Sequence, residues 1–249
     1  SSLLNSLLEK EVAVVSGVPH TTREPQDIEI DYKDQQIILI DTAGIRKKAR
    51  VKRGFEKLGV RKSLTTIKKS DITLLVLDAS KTFGSQDKRL ASLIEGASAG
   101  LIIIANKLDL IKSEDWHKEF TKYTRKYFPF LHWAPIIFVS ALTGEKVGRI
   151  YDKILEIDKA RKKQIDTKTL EKFIKDIARK HKPLKAMGVR HPYIFGIKQT
   201  GTEPPKFTVA IKEKTSLHAA YLKFLSKKIR EEFDFEGTPI KMNIKYIKV

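Results

Sequence analysis

Three short polar motifs stand along this chain, each directly behind a run of apolar residues. Ile37-Ile38-Leu39-Ile40 leads into Asp41-Thr42-Ala43-Gly44, and Leu101-Ile102-Ile103-Ile104 leads into Asn106-Lys107-Leu108-Asp109. Pro135-Ile136-Ile137-Phe138-Val139 leads into Ser140-Ala141-Leu142. Continuous apolar runs of strand length mark strands buried on both faces, as in parallel sheets covered by helices. Ligands of such sheets bind just beyond the carboxyl ends of the strands. The pattern predicts an α/β domain with a mostly parallel sheet and all three motifs on one rim, around one ligand.

The chemistry of the motifs says which ligand. A carboxylate at Asp109 can accept two hydrogen bonds, from the ring N–H and the exocyclic amine of guanine, and adenine cannot offer that pair. Asn106 is placed to brace the surrounding loops, and the Lys107 stem to lie against the base. Leu108 stands between Lys107 and Asp109. Backbone N–H groups of Ser140 and Ala141, in the loop that Leu142 completes, can bind the guanine carbonyl oxygen. Asp41 would hold Mg²⁺ through water. The Gly44 amide would face the γ-phosphate, with Thr42, Ala43 and Ile45 beside it, because glycine lets the backbone approach closely. Each motif alone is an ordinary strand-to-loop turn. Their order, each behind a strand, points to a GTP site.

A phosphate-binding loop reads G-x-x-x-x-G-K-[ST] and then opens a helix. Ser1-Ser2-Leu3-Leu4-Asn5-Ser6-Leu7-Leu8 reads as the helix after such a loop, cut just past its lysine. Ser1 would then supply a hydroxyl to Mg²⁺, with Ser2 beside it at the nucleotide. The expectation is that the first strand and most of the P-loop lie upstream of Ser1. The chain alone would then neither close its sheet properly nor bind GTP well.

The run of motifs resembles the Era-like bacterial GTPases, and Pro19-His20-Thr21-Thr22-Arg23 matches their first switch. The resemblance makes Thr22, in preference to Thr21, a Mg²⁺ ligand in the GTP state. Gly44-Ile45-Arg46-Lys47-Lys48 is similar to the second switch of the second GTPase domain of one family in that group, Der (also called EngA). Glu203-Pro204-Pro205-Lys206-Phe207 and Phe233-Asp234-Phe235-Glu236-Gly237-Thr238-Pro239-Ile240 are similar to its C-terminal KH-like domain. The resemblance implies a P-loop GTPase domain over residues 1–163, lacking its first strand and most of the P-loop, and a small α+β KH-like domain over residues 164–249. It also implies a cytoplasmic GTPase that assembles the large (50S) ribosomal subunit through rRNA contact. A further GTPase domain, a repeat of this one, is expected upstream in the same chain. Many GTPases orient the attacking water with a glutamine right after Asp-x-x-Gly. Here that position is Ile45, so no catalytic residue is assigned. Backbone, Mg²⁺, a first-switch residue or a monovalent cation such as K⁺ would have to serve.

The net charge is +19, and its placement is informative. Arg46 to Lys69 holds 11 basic residues and one acid, Glu56, and residues 164–249 hold 19 basic and nine acidic residues. The remaining residues nearly balance. Two separate basic blocks, one of them on a switch, suit a phosphate backbone bound in a salt-dependent way. There are no cysteines, which excludes disulfide and thiolate-metal frameworks. The apolar runs fall well short of the roughly 20 residues that span a bilayer, so no membrane partner is expected.

Residues 164–249 read as α-β-β-α-β. Asp166 or Thr167 caps a helix with Leu170, Phe173, Ile174, Ile177 and Ala178 on one face. Tyr193 to Gln199 and Phe207 to Lys212 pair as a hairpin, and a second helix carries Leu217, Tyr221, Phe224, Leu225 and Ile229. The last strand alternates, with Ile240, Met242, Ile244 and Tyr246 inward and Lys241, Asn243 and Lys245 outward. Phe195, Phe207 and Phe224 are expected in the core. KH modules grip nucleotides with a G-x-x-G loop, and none occurs among Gly188, Gly196, Gly201 and Gly237. Contact through the usual KH groove is therefore not expected. The domain would instead dock on the GTPase domain, with the lysines on its free face touching rRNA. Two other functional readings stay open: an Era-like GTPase of small-subunit rRNA or tRNA, and a degenerate GTPase fold serving as an RNA-binding scaffold.

Overall fold

The computed structural model describes residues 2–9, 27–40, 65–111, 113, 115–183 and 192–248. The chain divides into two compact units, Ser1–Glu156 and Ile157–Val249. The first opens with α1 (Ser2–Glu9), then β1 (Ile28–Tyr32) and β2 (Gln35–Leu39). β3 (Ile72–Asp78), α2 (Ser85–Glu95), β4 (Gly100–Asn106), α3 (Trp116–Tyr127), β5 (Ile136–Val139) and α4 (Arg149–Lys162) follow, the division falling within α4.

β3, β4 and β5 form a parallel sheet in that order. Residues 100 to 105 of β4 are all buried, as a central parallel strand requires. Leu101 and Ile103 join Leu75 and Leu77 of β3, Ala91 and Ile94 of α2 and Phe120 of α3 in one core. Phe83, just before α2, packs into that core with its ring centroid 4.8–5.5 Å from those of Phe120, Tyr123, Tyr127 and Phe128. Edge-to-face and offset ring pairs of this kind add to plain area burial.

β2 departs from the sequence reading. It pairs antiparallel with β1, and among the described residues these two strands form their own sheet. Tyr32 lies opposite Gln35, so Lys33 and Asp34 make a two-residue turn, both at positive φ (50° and 60°). That is the turn geometry that matches strand twist. Gln35 and Gln36 are exposed and Ile37 buried, the mark of a half-solvated hairpin. Among the described residues, β2 is not paired with the β3–β5 sheet. The hairpin is pinned to α4: the Tyr32 hydroxyl donates to Asp152 at 2.6 Å and the Lys33 ammonium lies 2.7 Å from the same oxygen.

The second unit contains α5 (Thr167–Lys180), β6 (Ile194–Gly201), β7 (Lys206–Lys212), α6 (Ala219–Phe233) and β8 (Lys241–Ile247). The element order is the one read from the sequence. β7 is central, antiparallel to β6 and parallel to β8. Asp166 is the N-cap of α5 and accepts from the Thr169 amide at 2.9 Å. Phe207, Val209 and Ile211 of β7 are fully buried against Leu170, Ile174, Leu225 and Ile229 of the two helices. Two side chains differ from expectation. Phe195 lies in a β-bulge between Ile194 and Gly196 and packs on Tyr193, ring centroids 5.0 Å apart, rather than in the core. An inserted residue breaks strict alternation, which is why the period misplaced it. Tyr246 is exposed, because the packed face of β8 ends at Ile244.

The loop from α6 into β8 is the stretch Asp234-Phe235-Glu236-Gly237-Thr238-Pro239. Asp234 ends the helix at φ 51° and Gly237 turns at φ 70°. Arg230 of α6 holds it, donating from one guanidinium nitrogen to the carbonyls of Phe235 and of Thr238 (2.6 Å for the latter). Burial lowers the Arg230 pKa to about 10, which leaves it charged at neutral pH. The most distinctive motif of this half is thus a structural loop anchored by buried Phe235 and Thr238.

Candidate functional site at the carboxyl rim of the parallel sheet

Asp78, Asn106 and Val139 are in register across β3, β4 and β5. The segments that follow β4 and β5 therefore leave the sheet side by side. Asn106 joins them. Its Oδ1 accepts from the Lys107 amide at 2.8 Å and from the Ala141 amide, 35 residues on, at 2.9 Å. The second bond makes one unit of two loops that sequence separates.

Asp109 lies in a single 3₁₀ turn, Leu108–Leu110, anchored by buried Leu108. Its side chain is exposed at the rim, and the buried Ser140 hydroxyl donates to its Oδ1. The Thr143 amide in turn donates to Ser140 Oγ at 3.2 Å. A carboxylate accepts up to four hydrogen bonds, so Asp109 keeps an oxygen and most of its lone pairs for a ligand.

The amides that the sequence reading gives to the guanine carbonyl are engaged within the loop. Ser140 N–H donates to Glu145 O at 3.1 Å, and Ala141 N–H goes to Asn106. The loop has to turn back tightly, at Gly144 (φ 73°), and closing that turn consumes the Ser140 amide. Leu142 is 81 % exposed, and its amide makes no hydrogen bond among the described residues. It is one of the donors this loop leaves open, with the amides of Gly144 and Lys146.

Lys107 takes left-handed backbone (φ 74°, ψ 40°), an uncommon conformation for a residue with a side chain. Its ammonium lies 2.7 Å from Asp78 Oδ2. Asp78 Oδ1 accepts from the Ser80 hydroxyl at 2.6 Å and the Ser80 amide at 3.1 Å. Burial raises the Asp78 pKa, but the Lys107 ammonium and the Ser80 donors outweigh it and bring it down to about 2. Neither Asp78 nor Ser80 was expected from the sequence. The signal was there in the same form as the others: Ile72-Thr73-Leu74-Leu75-Val76-Leu77 is an apolar run ending in a carboxylate.

Of the residues expected at the nucleotide, the rim brings together Asn106, Lys107, Leu108, Asp109, Ser140, Ala141 and Leu142. Ser2 begins α1, exposed. Ser1, Thr22, Asp41, Thr42, Ala43, Gly44 and Ile45 lie outside the described residues, and with them the three positions expected to ligate Mg²⁺. Among the described residues no group of His, Asp and Glu could hold a metal ion, and no helix is long and apolar enough to cross a membrane.

Residues 1–107 match the family described as 50S ribosome-binding GTPase, and residues 164–245 match the KH-domain-like family of EngA bacterial GTPase enzymes, C-terminal. Fold and rim thus define a GTPase-type α/β domain followed by a KH-like domain. The chain is 39% identical over 241 residues to GTPase Der of Chloroflexus aggregans, covering 96% of this chain and 54% of that protein. It is 36% identical over 242 residues to GTPase Der of Alkaliphilus oremlandii, covering 97% and 55%. The chain belongs to the Der (EngA) family. It spans about half the length of the curated relatives it matches. Among solved structures, Era in complex with MgGDPNP and nucleotides 1506–1542 of 16S ribosomal RNA is similar with a TM-score of 0.48 at 18% identity, covering 100% of this chain and 88% of that one.

Proposed function

We propose that this protein is a cytoplasmic GTP-binding switch that hydrolyses GTP to GDP and phosphate and acts in assembly of the large ribosomal subunit through rRNA contact. The observation that carries the nucleotide is the rim. The Asn106 bridge joins the two loops, and Ser140 fixes one oxygen of Asp109 so that the other meets the guanine edge. Leu142 N–H replaces the Ser140 and Ala141 amides as the donor to the guanine carbonyl. Ser1, Thr22 and Asp41 offer two hydroxyls and a carboxylate, hard oxygen donors of the kind Mg²⁺ takes. A monovalent cation such as K⁺ serves at the phosphates in place of a glutamine at Ile45. Residues 1–163 act as the GTPase domain and 164–249 as the KH-like domain. The family description as ribosome-binding and the two basic blocks support the ribosomal partner.

In the full-length protein, Asp109→Asn should lower GTP affinity and favour xanthosine triphosphate, whose second carbonyl matches the new amide. A charge-assisted hydrogen bond contributes about 1.5–3 kcal/mol, so the loss should be about 10- to 100-fold by equilibrium titration. Equal GTP affinity in variant and parent would remove Asp109 from the site.

A further inference from the structure

We propose that Asp78 is a positioning residue for nucleotide binding, holding the Lys107 ammonium so that the lysine stem stands ready as a platform for the guanine ring; this rests on the guanine reading of the rim.

The geometry supports a holder and not merely a chance surface pair. Asp78 ends β3 directly beside Asn106, and the Ala79 amide donates to Asn106 O at 2.9 Å, so the carboxylate is set by the sheet itself. Ser80 occupies one oxygen twice, through its amide and its hydroxyl, which leaves the other aimed at Lys107. Lys107 is held from the opposite end by Asn106, which accepts from its amide. A long, flexible side chain is thereby fixed at both ends in left-handed backbone, next to the Asp109 turn.

Exposed and half-exposed ion pairs contribute little to folding. With Asp78 26% and Lys107 45% exposed, this one belongs there. Its effect should lie in binding. A lysine side chain that must be ordered by its ligand weakens affinity by the rotamer freedom it loses, and one ordered beforehand does not. Lys81 also approaches the same oxygen, but at 3.8 Å and 73% exposed it is the weaker partner.

The test measures dissociation of a fluorescent GDP analogue from the full-length protein. Asp78→Asn keeps shape and removes charge, and should weaken binding about 3- to 10-fold, the latter equal to about 1.4 kcal/mol. Lys107→Met removes the ammonium that Asp78 holds. In that background, Asp78→Asn should change affinity by less than about 1.5-fold. A full effect in that background, or no effect of Asp78→Asn alone, overturns the proposal. Ser80→Ala, which frees the carboxylate but keeps its charge, should act in the same direction by a smaller factor, and it carries the test should Asp78→Asn fail to fold. Asp109→Asn on the same protein separates the two levels. If base preference does not move toward xanthosine, the guanine reading falls and this proposal with it. If it moves but Asp78 and Lys107 act independently, only the role of Asp78 falls.

Discussion

Replacing Asn106 with alanine removes one of the two side-chain links between the rim loops, the other being Ser140 to Asp109, and the structure sets the size of the effect. Oδ1 accepts from two backbone amides, those of Lys107 and Ala141. A typical hydrogen bond contributes about 1 kcal/mol net, and a buried donor left without a partner costs about 1–3 kcal/mol. Ala141 is buried, so its amide bears most of that penalty, whereas the amide of half-exposed Lys107 can be rehydrated. The sum is a loss of about 2–3 kcal/mol from the GTPase domain. Aspartate offers the same acceptor at the same position. Asn106→Asp should therefore keep most of the stability that Asn106→Ala loses. Denaturant unfolding in the absence of nucleotide, followed by Trp116 and Trp133 fluorescence, reports this domain, since both tryptophans pack with its core. Nucleotide release should quicken in the alanine variant as the Ser140 loop separates from Asp109. If Asn106→Asp is as damaging as Asn106→Ala, the brace does not work through its acceptor oxygen. If Asn106→Ala is neutral, there is no brace.

Other consequences are open to measurement. Arg230→Met should destabilise the KH-like domain by about 2–4 kcal/mol, because the carbonyls of Phe235 and Thr238 lose a charged donor. Arg230→Lys should recover little, since an ammonium on a flexible stem does not reproduce the rigid fork of a guanidinium; full recovery in thermal melts would refute this. Asp78, whose pKa falls from 3.8 to about 2 on folding, contributes a small stability above pH 3.8, small because the pair is half-exposed, that is lost as pH drops through about 2. The stability difference between the parent and Asp78→Asn should therefore be constant above about pH 5 and shrink between about pH 4 and 2; a difference that persists at pH 2 contradicts the assignment. Binding of the full-length protein to ribosomal subunits should weaken about 10³–10⁵-fold between 50 and 200 mM salt if about 6–10 phosphates are contacted. Neutralising Lys47, Lys48, Arg50 and Lys52 should reduce both the salt slope and the GTP-versus-GDP difference, and neutralising Lys241 and Lys245 the slope alone. Co-sedimentation across a salt series tests this, and silent switch charges would point away from RNA.

What the sequence made legible was whatever depends on local pattern alone. β4 is buried on both faces, so its apolar run is unbroken. The helices of the KH-like domain carry strong 3.6-residue stripes, and Asp166 caps where a cap was expected. Partner choice was harder. Ile37 to Ile40 reads as apolar as β4 does, yet among the described residues its partner is β1 of a hairpin, and the turn that makes it so is Lys33-Asp34, without the glycine that usually announces such turns. Phe195 failed for a related reason: a bulge is a tertiary event that resets the alternation on which inward and outward were read.

The site divides along the same line. Residue types told which groups could meet guanine only in combination, because a carboxylate at Asp109 and an amide at Asn106 gain that meaning from the ordered motifs before and after them. They could not tell which donors the loop needs for itself. Closing the turn from Ser140 to Glu145 takes one amide, and tying the loop to Asn106 takes the next. The ligand contact proposed for the Leu142 amide rests on that accounting. Asp78 was hidden for the opposite reason. It ends an apolar run as the other rim residues do, but its neighbours in sequence match no nucleotide motif, and the register is what sets it beside Asn106 and within reach of Lys107. A rim residue of this kind is defined by the neighbouring strand, and a reading confined to contiguous motifs passes over it.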